Sequence, residues 1–102
     1  MIALIDYKMG NLFSVIKAFE FCGAEVTVVN KPGDLMQYQA AVLPGVGNFG
    51  EGMTHLREFG LADAVQQFAA TGKPLLGICL GMQILFDEGS EDGQHQGLGF
   101  IP

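Results

Sequence analysis

Apolar and polar positions follow one another along this chain in blocks that predict alternating strands and helices. Short apolar runs at residues 2–6, 25–29, 40–43 and 75–78 have the length of buried strands. Helical spacing of apolar residues occurs twice between them, at Leu12, Val15, Ile16 and Phe19 and at Leu61, Ala64, Val65 and Phe68. We further predict helical turns at 35–38, 53–58 and 82–86 and a last strand at 97–101. Repeated strand–helix–strand units predict a doubly wound, mostly parallel α/β sheet.

Composition limits the kind of protein and its partners. The chain has 102 residues, of which 49% are hydrophobic, which suffices for the core of one domain. A net charge of −6 argues against nucleic acid and against an anionic membrane as a partner. The start of the chain lacks the basic segment of a signal peptide, and no apolar run has the ~20 residues of a membrane span. Cys22 and Cys79 lie in unrelated contexts, so we expect no disulfide and a cytoplasmic location.

Cys79 stands where a predicted strand passes into a predicted helical segment, between Gly77 and Gly81. A nucleophile on such a sharp turn needs neighbours without a Cβ, because the turn forces side chains together. Gln83 follows one helical turn later, so we expect its side chain on the same face as Cys79. We therefore interpret Cys79 as a nucleophile rather than a buried core cysteine, and Cys22 as a packing residue.

A glycine-rich segment at residues 44–52 follows the third predicted strand. The carboxyl ends of parallel strands meet at one edge of a sheet, so we expect residues 6–11, this segment and Cys79 to lie together there. The segment would then supply one backbone N–H to an oxyanion hole, and Leu80 would supply the other.

The same segment has a second interpretation. Gly45, Gly47 and Gly50 have the Gly-x-Gly-x-x-Gly spacing of a dinucleotide-binding turn. That motif also needs an acidic residue at the end of the next strand, where this chain has Cys79. Pro44 moreover removes an N–H where the phosphate-binding turn would begin. A dinucleotide-binding module is therefore kept as an alternative.

These motifs together resemble those of the class I (triad) glutamine amidotransferases. The resemblance rests on residues 44–47 (PGVG) and 77–83 (GICLGMQ). Residues 5–15 (IDYKMGNLFSV) and 47–53 (GNFGEGM) narrow it to the glutaminase subunits of imidazole glycerol phosphate synthase. The resemblance implies a three-layer, flavodoxin-like fold, with residues 1–102 as the N-terminal part of one glutamine amidotransferase domain. It implies neither a metal nor a cofactor.

The resemblance also implies a reaction. Cys79 would attack the side-chain amide of L-glutamine, releasing ammonia and leaving a glutamyl thioester that water converts to glutamate. The N–H of Leu80 and an N–H from Val46 or Gly47 would hold the oxyanion.

Substrate and partner contacts follow from the same resemblance. Gly47 and Gln83 would contact the glutamine, and the acidic pair Glu91 and Asp92 would face its ammonium group, unless that pair is simply a solvated turn. Ammonia would pass to a (β/α)₈ cyclase subunit, with Asn11 at the interface, for imidazole glycerol phosphate synthesis in histidine biosynthesis.

The general base of the family, carried by a His-x-Glu pair, has no match in this sequence. Of the two histidines, His55 lies on the predicted helical turn after the glycine-rich segment and His95 in a polar loop predicted at residues 87–96, and neither replaces that base. The resemblance therefore implies an N-terminal half that binds substrate, or is alkylated at Cys79, far better than it turns over. A cysteine-elbow protein of the stress-chaperone or peptidase-like type is a further alternative, in which Gln83 would have no role.

Overall fold

The computed structural model describes residues 1–90 and 93–102. Four strands form one parallel sheet in the order β2-β1-β3-β4. They are β1 (Ile2–Ile5), β2 (Val26–Val29), β3 (Ala40–Leu43) and β4 (Leu75–Gly77). The chain moves outward from β1 to β2 and then returns to the other side of β1 for β3, which places the topological switch point between β1 and β3. The predicted doubly wound sheet is confirmed.

Within the residues described, five helices connect or follow these strands. They are α1 (Leu12–Phe21), α2 (Pro32–Leu35), α3 (Phe49–Glu58), α4 (Leu61–Ala70) and α5 (Leu80–Gln83). The prediction for α2 was placed too late, at 35–38, because Pro32 at the first helical position starts that turn. The prediction for α3 was also too late, because the side chain of Asn48 accepts a hydrogen bond from the backbone N–H of Glu51 and caps the helix. The glycine-rich loop is thus limited to residues 44–48.

The core lies on one face of the sheet. Ala3 and Ile5 of β1 and Ala41 and Leu43 of β3 point to this face and are almost fully buried. They pack with apolar side chains of α2, α3 and α4, including Leu35, Met53, Leu56, Val65 and Phe68. Helix α1 contributes no buried residue. The interpretation of Cys22 as a packing residue is wrong, because Cys22 follows the last turn of α1 and is exposed. Phe19 of α1 lines a shallow apolar cavity with Val42 and Leu76, which point to the opposite face. Layers therefore lie on both faces of the sheet, and the thicker one carries the core.

The last twenty residues differ from the prediction. Helix α5 is a single turn, because the carbonyl groups of Ile84 and Leu85 accept hydrogen bonds from the N–H groups of Leu98 and Phe100, both at 2.8 Å. The predicted strand at 97–101 is consequently absent and leaves one isolated bridge, between Phe86 and Ile101. Two short antiparallel strands, β5 (Glu88–Gly89) and β6 (His95–Gln96), lie in the region expected to be a polar loop.

Candidate active site

Cys79 occupies a strained backbone position at the end of β4. Its φ is +54° and its ψ −118°, a conformation that residues with a Cβ rarely adopt. The residue is exposed, and its carbonyl accepts a hydrogen bond from the N–H of Gln83 at 3.1 Å, which closes the single turn of α5. Strain held at an exposed cysteine between a strand and a helix is the geometry of a nucleophile elbow.

The two glycines beside Cys79 are required by close backbone packing. A Cβ on Gly77 would lie 2.7 Å from Cα of Met82, and a Cβ on Gly81 would collide with the carbonyl oxygen of Leu43. In both cases the obstacle is backbone, which cannot rotate away as a side chain can. Close backbone packing therefore requires glycine on both sides of Cys79, as the sequence analysis expected of a sharp turn.

The predicted meeting of three loops at the sheet edge is present. Leu43 pairs with Gly77 across β3 and β4, so that the chain leaves both strands side by side. A mostly apolar cavity of about 280 Å³ is lined by Cys79, Val46 and Asn11, among others. The side chain of Asn11 also caps α1 by accepting a hydrogen bond from the N–H of Ser14 at 3.3 Å. Cys79 is thus open to solvent and adjacent to the glycine loop.

The backbone N–H of Leu80 already has a partner in this structure. It donates a hydrogen bond of 3.1 Å to the carbonyl oxygen of Gly45. Gly45 and Gly47 have φ values of +151° and +119°, which only glycine adopts without strain, and Val46 between them is 61% exposed. The Leu80 N–H becomes available to another acceptor only if the Gly45–Val46 peptide rotates.

A second cavity, of about 430 Å³, lies next to the glycine loop on the Gln83 side. It brings together Gly47 and Gln83, the two residues expected to contact substrate, with Glu88 and Ser90. Glu88 was not predicted as a site residue, since nothing in the sequence distinguishes it from the other acidic residues of that polar stretch. Glu91 and Asp92, the predicted ammonium contacts, lie outside the described residues.

Comparison with known proteins places this geometry in a family. Residues 3–97 match the family described as glutamine amidotransferase class-I. The chain belongs to this family. A solved structure described as that of a glutamine amidotransferase superimposes with a TM-score of 0.76 at 26% identity, over 95% of this chain and 51% of the other.

Two curated relatives with high sequence identity to this chain carry the name of one particular subunit. The chain is 52% identical over 101 residues to the imidazole glycerol phosphate synthase subunit HisH of Sulfurimonas denitrificans. It is 53% identical over 102 residues to the subunit of the same name from Acaryochloris marina. The alignments cover 99% and 100% of this chain but 49% and 47% of those proteins. The chain thus spans about half the length of the curated relatives it matches.

Details of the glycine loop argue against the dinucleotide alternative. A Cβ on Gly50 would meet the ring of His95 at 2.7 Å, so this glycine makes room for a side chain of the same molecule. Asn48 caps the first turn of α3, where a pyrophosphate would otherwise bind. The Gly-x-Gly-x-x-Gly spacing is therefore accounted for by local packing.

Tyr7 lies beside the glycine loop and was not singled out by the sequence analysis. It follows β1 at the same sheet edge, is 1% exposed, and its hydroxyl donates a hydrogen bond to the carbonyl oxygen of Pro44. Burial raises the pKa of the phenol well above its usual range, so the group remains a neutral donor. Its position directly after the first strand was the one signal in the sequence.

The two histidines line a different cavity from Cys79. His55 Nδ1 is 3.0 Å from the backbone carbonyl oxygen of Tyr7, to which it donates. His55 and His95 line a separate cavity with Glu51 and Glu58. Among the described residues, neither histidine lines the cavity that contains Cys79. This separation gives no support to either histidine as the base.

Two further properties concern ligands and membranes. Within residues 1–90 and 93–102, no three His, Cys, Asp or Glu side chains are grouped so as to hold a metal ion. In the same part of the chain, no helix has the length and apolar character needed to cross a bilayer.

Proposed function

We propose that this chain carries the glutamine-hydrolysing site of an imidazole glycerol phosphate synthase, with Cys79 as the nucleophile. The observation that carries the proposal is the exposed, strained Cys79 between two obligatory glycines, beside a loop of the same family motif. The relatives named as subunits of that synthase support the narrower assignment.

The reaction follows from the atoms at the elbow. Cys79 Sγ attacks the side-chain carbonyl carbon of L-glutamine, and the carbonyl oxygen becomes an oxyanion. That oxyanion displaces the Gly45 carbonyl from the Leu80 N–H, while rotation of the Gly45–Val46 peptide turns the N–H of the same peptide, that of Val46, toward it. The N–H of Gly47, in the next peptide, is the alternative second donor. The thiol proton of Cys79, carried by the general base, is passed to the amide nitrogen, so that the C–N bond breaks and ammonia leaves while the C–S bond is retained. Water, deprotonated by the same base, then cleaves the thioester to give glutamate and return the thiol. Glycine at positions 45 and 47 lowers the cost of this rotation.

Substrate binding is assigned to the cavity of about 430 Å³ that Gly47 and Gln83 share. Cys79 lines the smaller cavity, and the glycine loop borders both, since Val46 lines the Cys79 cavity and Gly47 the larger one. The side chain of the glutamine would therefore reach from the larger cavity across the glycine loop to Cys79. The Gln83 side-chain amide is exposed there and can hydrogen-bond the glutamine side chain or carboxylate. Glu91 and Asp92 remain the proposed contacts of the substrate ammonium group.

Ammonia transfer would involve a partner. We propose a (β/α)₈ cyclase subunit that contacts the Asn11 region, since Asn11 lines the cavity into which Cys79 opens. The two free cysteines, Cys22 and Cys79, support a location in the reducing cytoplasm.

The general base is assigned to a segment beyond these 102 residues. His55 is held by the Tyr7 carbonyl, and both histidines line another cavity. We propose that residues 1–102 form the N-terminal part of one amidotransferase domain and that this part alone hydrolyses glutamine very slowly.

A binding experiment tests the proposal without requiring turnover. L-glutamine is titrated calorimetrically into Cys79→Ala, with L-asparagine and NAD as comparison ligands. We expect glutamine to bind and the other two to give no signal. Adding Gln83→Ala should weaken binding roughly tenfold, the value of one or two hydrogen bonds.

Gln67→Ala is the matched control, because Gln67 is an exposed glutamine on α4. It should leave the affinity for glutamine unchanged. Binding of NAD would support the dinucleotide alternative, and glutamine binding that is indifferent to Gln83→Ala would support the cysteine-elbow alternative. No glutamine binding at millimolar concentration would refute the proposal.

A further inference from the structure

The side chain of Tyr7 bridges two loops of the proposed active site. It leaves the end of β1, is 1% exposed, and its hydroxyl reaches the carbonyl oxygen of Pro44, 37 residues further along the chain. Its own backbone carbonyl is held by His55 Nδ1 at 3.0 Å. Both ends of the residue are thus fixed, one to α3 and one to the start of the glycine loop.

The glycine loop is braced against the same region by close contacts. A Cβ on Gly45 would collide with the Tyr7 hydroxyl oxygen. A Cβ on Gly10 would lie 3.1 Å from Cα of Gly45 and 3.2 Å from the backbone nitrogen of Val46. The β1–α1 loop therefore packs directly on the peptide units that precede and follow Gly45.

The hydrogen bond of Tyr7 lies one peptide before the Gly45–Val46 peptide that is proposed to rotate. Tyr7 binds the carbonyl of the Pro44–Gly45 peptide, whereas the carbonyl that occupies the Leu80 N–H belongs to the next peptide, Gly45–Val46. Rotation about ψ of Gly45 and φ of Val46 frees the Leu80 N–H. The preceding peptide, Pro44–Gly45, stays in place during this rotation only if another group holds it. Tyr7 is the group that holds it.

We infer that Tyr7 is a positioning residue that holds the Pro44–Gly45 peptide in place while the next peptide rotates, so that the glycine loop forms one defined oxyanion site. The inference rests on the proposed function, because it concerns the oxyanion of that reaction. Tyr7 does not touch the substrate. Its neutral, buried phenol is suited to a permanent hydrogen bond rather than to proton transfer.

The test compares two cysteine reagents on the unmodified chain, Tyr7→Phe and the matched control Tyr38→Phe. A chloroketone analogue of glutamine has a carbonyl oxygen that needs the oxyanion site, whereas iodoacetamide reports only the exposure and reactivity of the thiol. The ratio of the two labelling rates at Cys79 is insensitive to a general loss of stability. We define the ratio as the chloroketone rate divided by the iodoacetamide rate. We expect Tyr7→Phe to lower this ratio about fivefold, as for the loss of one hydrogen bond, and Tyr38→Phe to leave it unchanged.

The outcomes separate the inference from the function it rests on. If the unmodified chain shows no preference for the glutamine reagent over its D-enantiomer, the proposed function fails and the inference fails with it. If the preference is present but Tyr7→Phe slows both reagents equally, Tyr7 is merely structural and the inference is overturned.

A second variant covers the case in which Tyr7→Phe does not fold. The chain has two tyrosines, so incorporating 3-fluorotyrosine into Tyr38→Phe modifies position 7 alone. Fluorine strengthens the phenol as a donor while keeping its shape. The ratio should then rise above that of Tyr38→Phe, and an unchanged ratio would contradict the inference.

Discussion

The strained backbone of Cys79 predicts that removing its Cβ will stabilise the fold. A non-glycine residue held in such a region costs about 1–3 kcal/mol, and φ +54°, ψ −118° is a conformation that glycine adopts freely. Glycine opposes this gain through its greater freedom in the unfolded chain, by about 0.5–1 kcal/mol. The thiol is exposed, so its loss contributes little. We therefore expect Cys79→Gly to be more stable than Cys79→Ala by about 1 kcal/mol.

The measurement is urea unfolding of both variants, with the difference in midpoint converted through a common slope. Cys22 offers a matched control, since it is also an exposed cysteine but has an ordinary φ of −84°. There we expect the reverse order, with Cys22→Gly less stable than Cys22→Ala by up to about 1 kcal/mol.

The comparison has a clear negative result. If Cys79→Gly is equal to or less stable than Cys79→Ala, the elbow stores no strain and the structural argument for a nucleophile at this position is lost. The same conclusion follows if the Gly variant is more stable than the Ala variant at both position 79 and position 22. The difference in stability would then come from the residue type and not from backbone strain at Cys79.

Two other predictions follow from the packing around the site. Gly81→Ala should destabilise the chain by about 2–3 kcal/mol because its Cβ meets backbone, whereas Gly33→Ala, with open space around it, should be neutral or stabilising; equal urea midpoints would contradict this. Stability should also fall as the pH rises above about 10.0, the ordinary phenol pKa, because the unfolded chain then releases the Tyr7 proton that the folded chain retains. The slope contributed by Tyr7 is up to about 1.4 kcal/mol per pH unit; urea unfolding between pH 9 and 11 should show it lost in Tyr7→Phe and kept in Tyr38→Phe.

Much of the sheet could be predicted because each strand is a short apolar run with clear ends. The strand at 40–43 was predicted with its observed bounds, since Pro44 and the following glycines stop it. The parallel order follows from the helices between the strands. Cys79 could also be singled out, because the glycines that the elbow requires are adjacent in sequence.

The errors arose where long-range hydrogen bonds override local pattern. The apolar residues at 82–86 favour a longer helix, but N–H groups of residues 97–101 take the carbonyls that would extend it. The hydrogen bond from Tyr7 to Pro44 likewise joins residues far apart in the chain, so no local spacing of residues predicts it. The occupied Leu80 N–H depends on the conformation of Gly45, which a sequence permits but does not dictate.

The central claim is that Cys79 reacts with the side-chain carbonyl of glutamine, and covalent trapping tests it most directly. The chain is treated with the chloroketone analogue of glutamine and the modified peptide is identified by mass spectrometry. We predict one adduct, on Cys79, with formation slowed by L-glutamine but not by L-asparagine, while Cys22 stays unmodified although it is also free and exposed. Equal modification of both cysteines, or a Cys79 rate that glutamine leaves unchanged, would contradict the account.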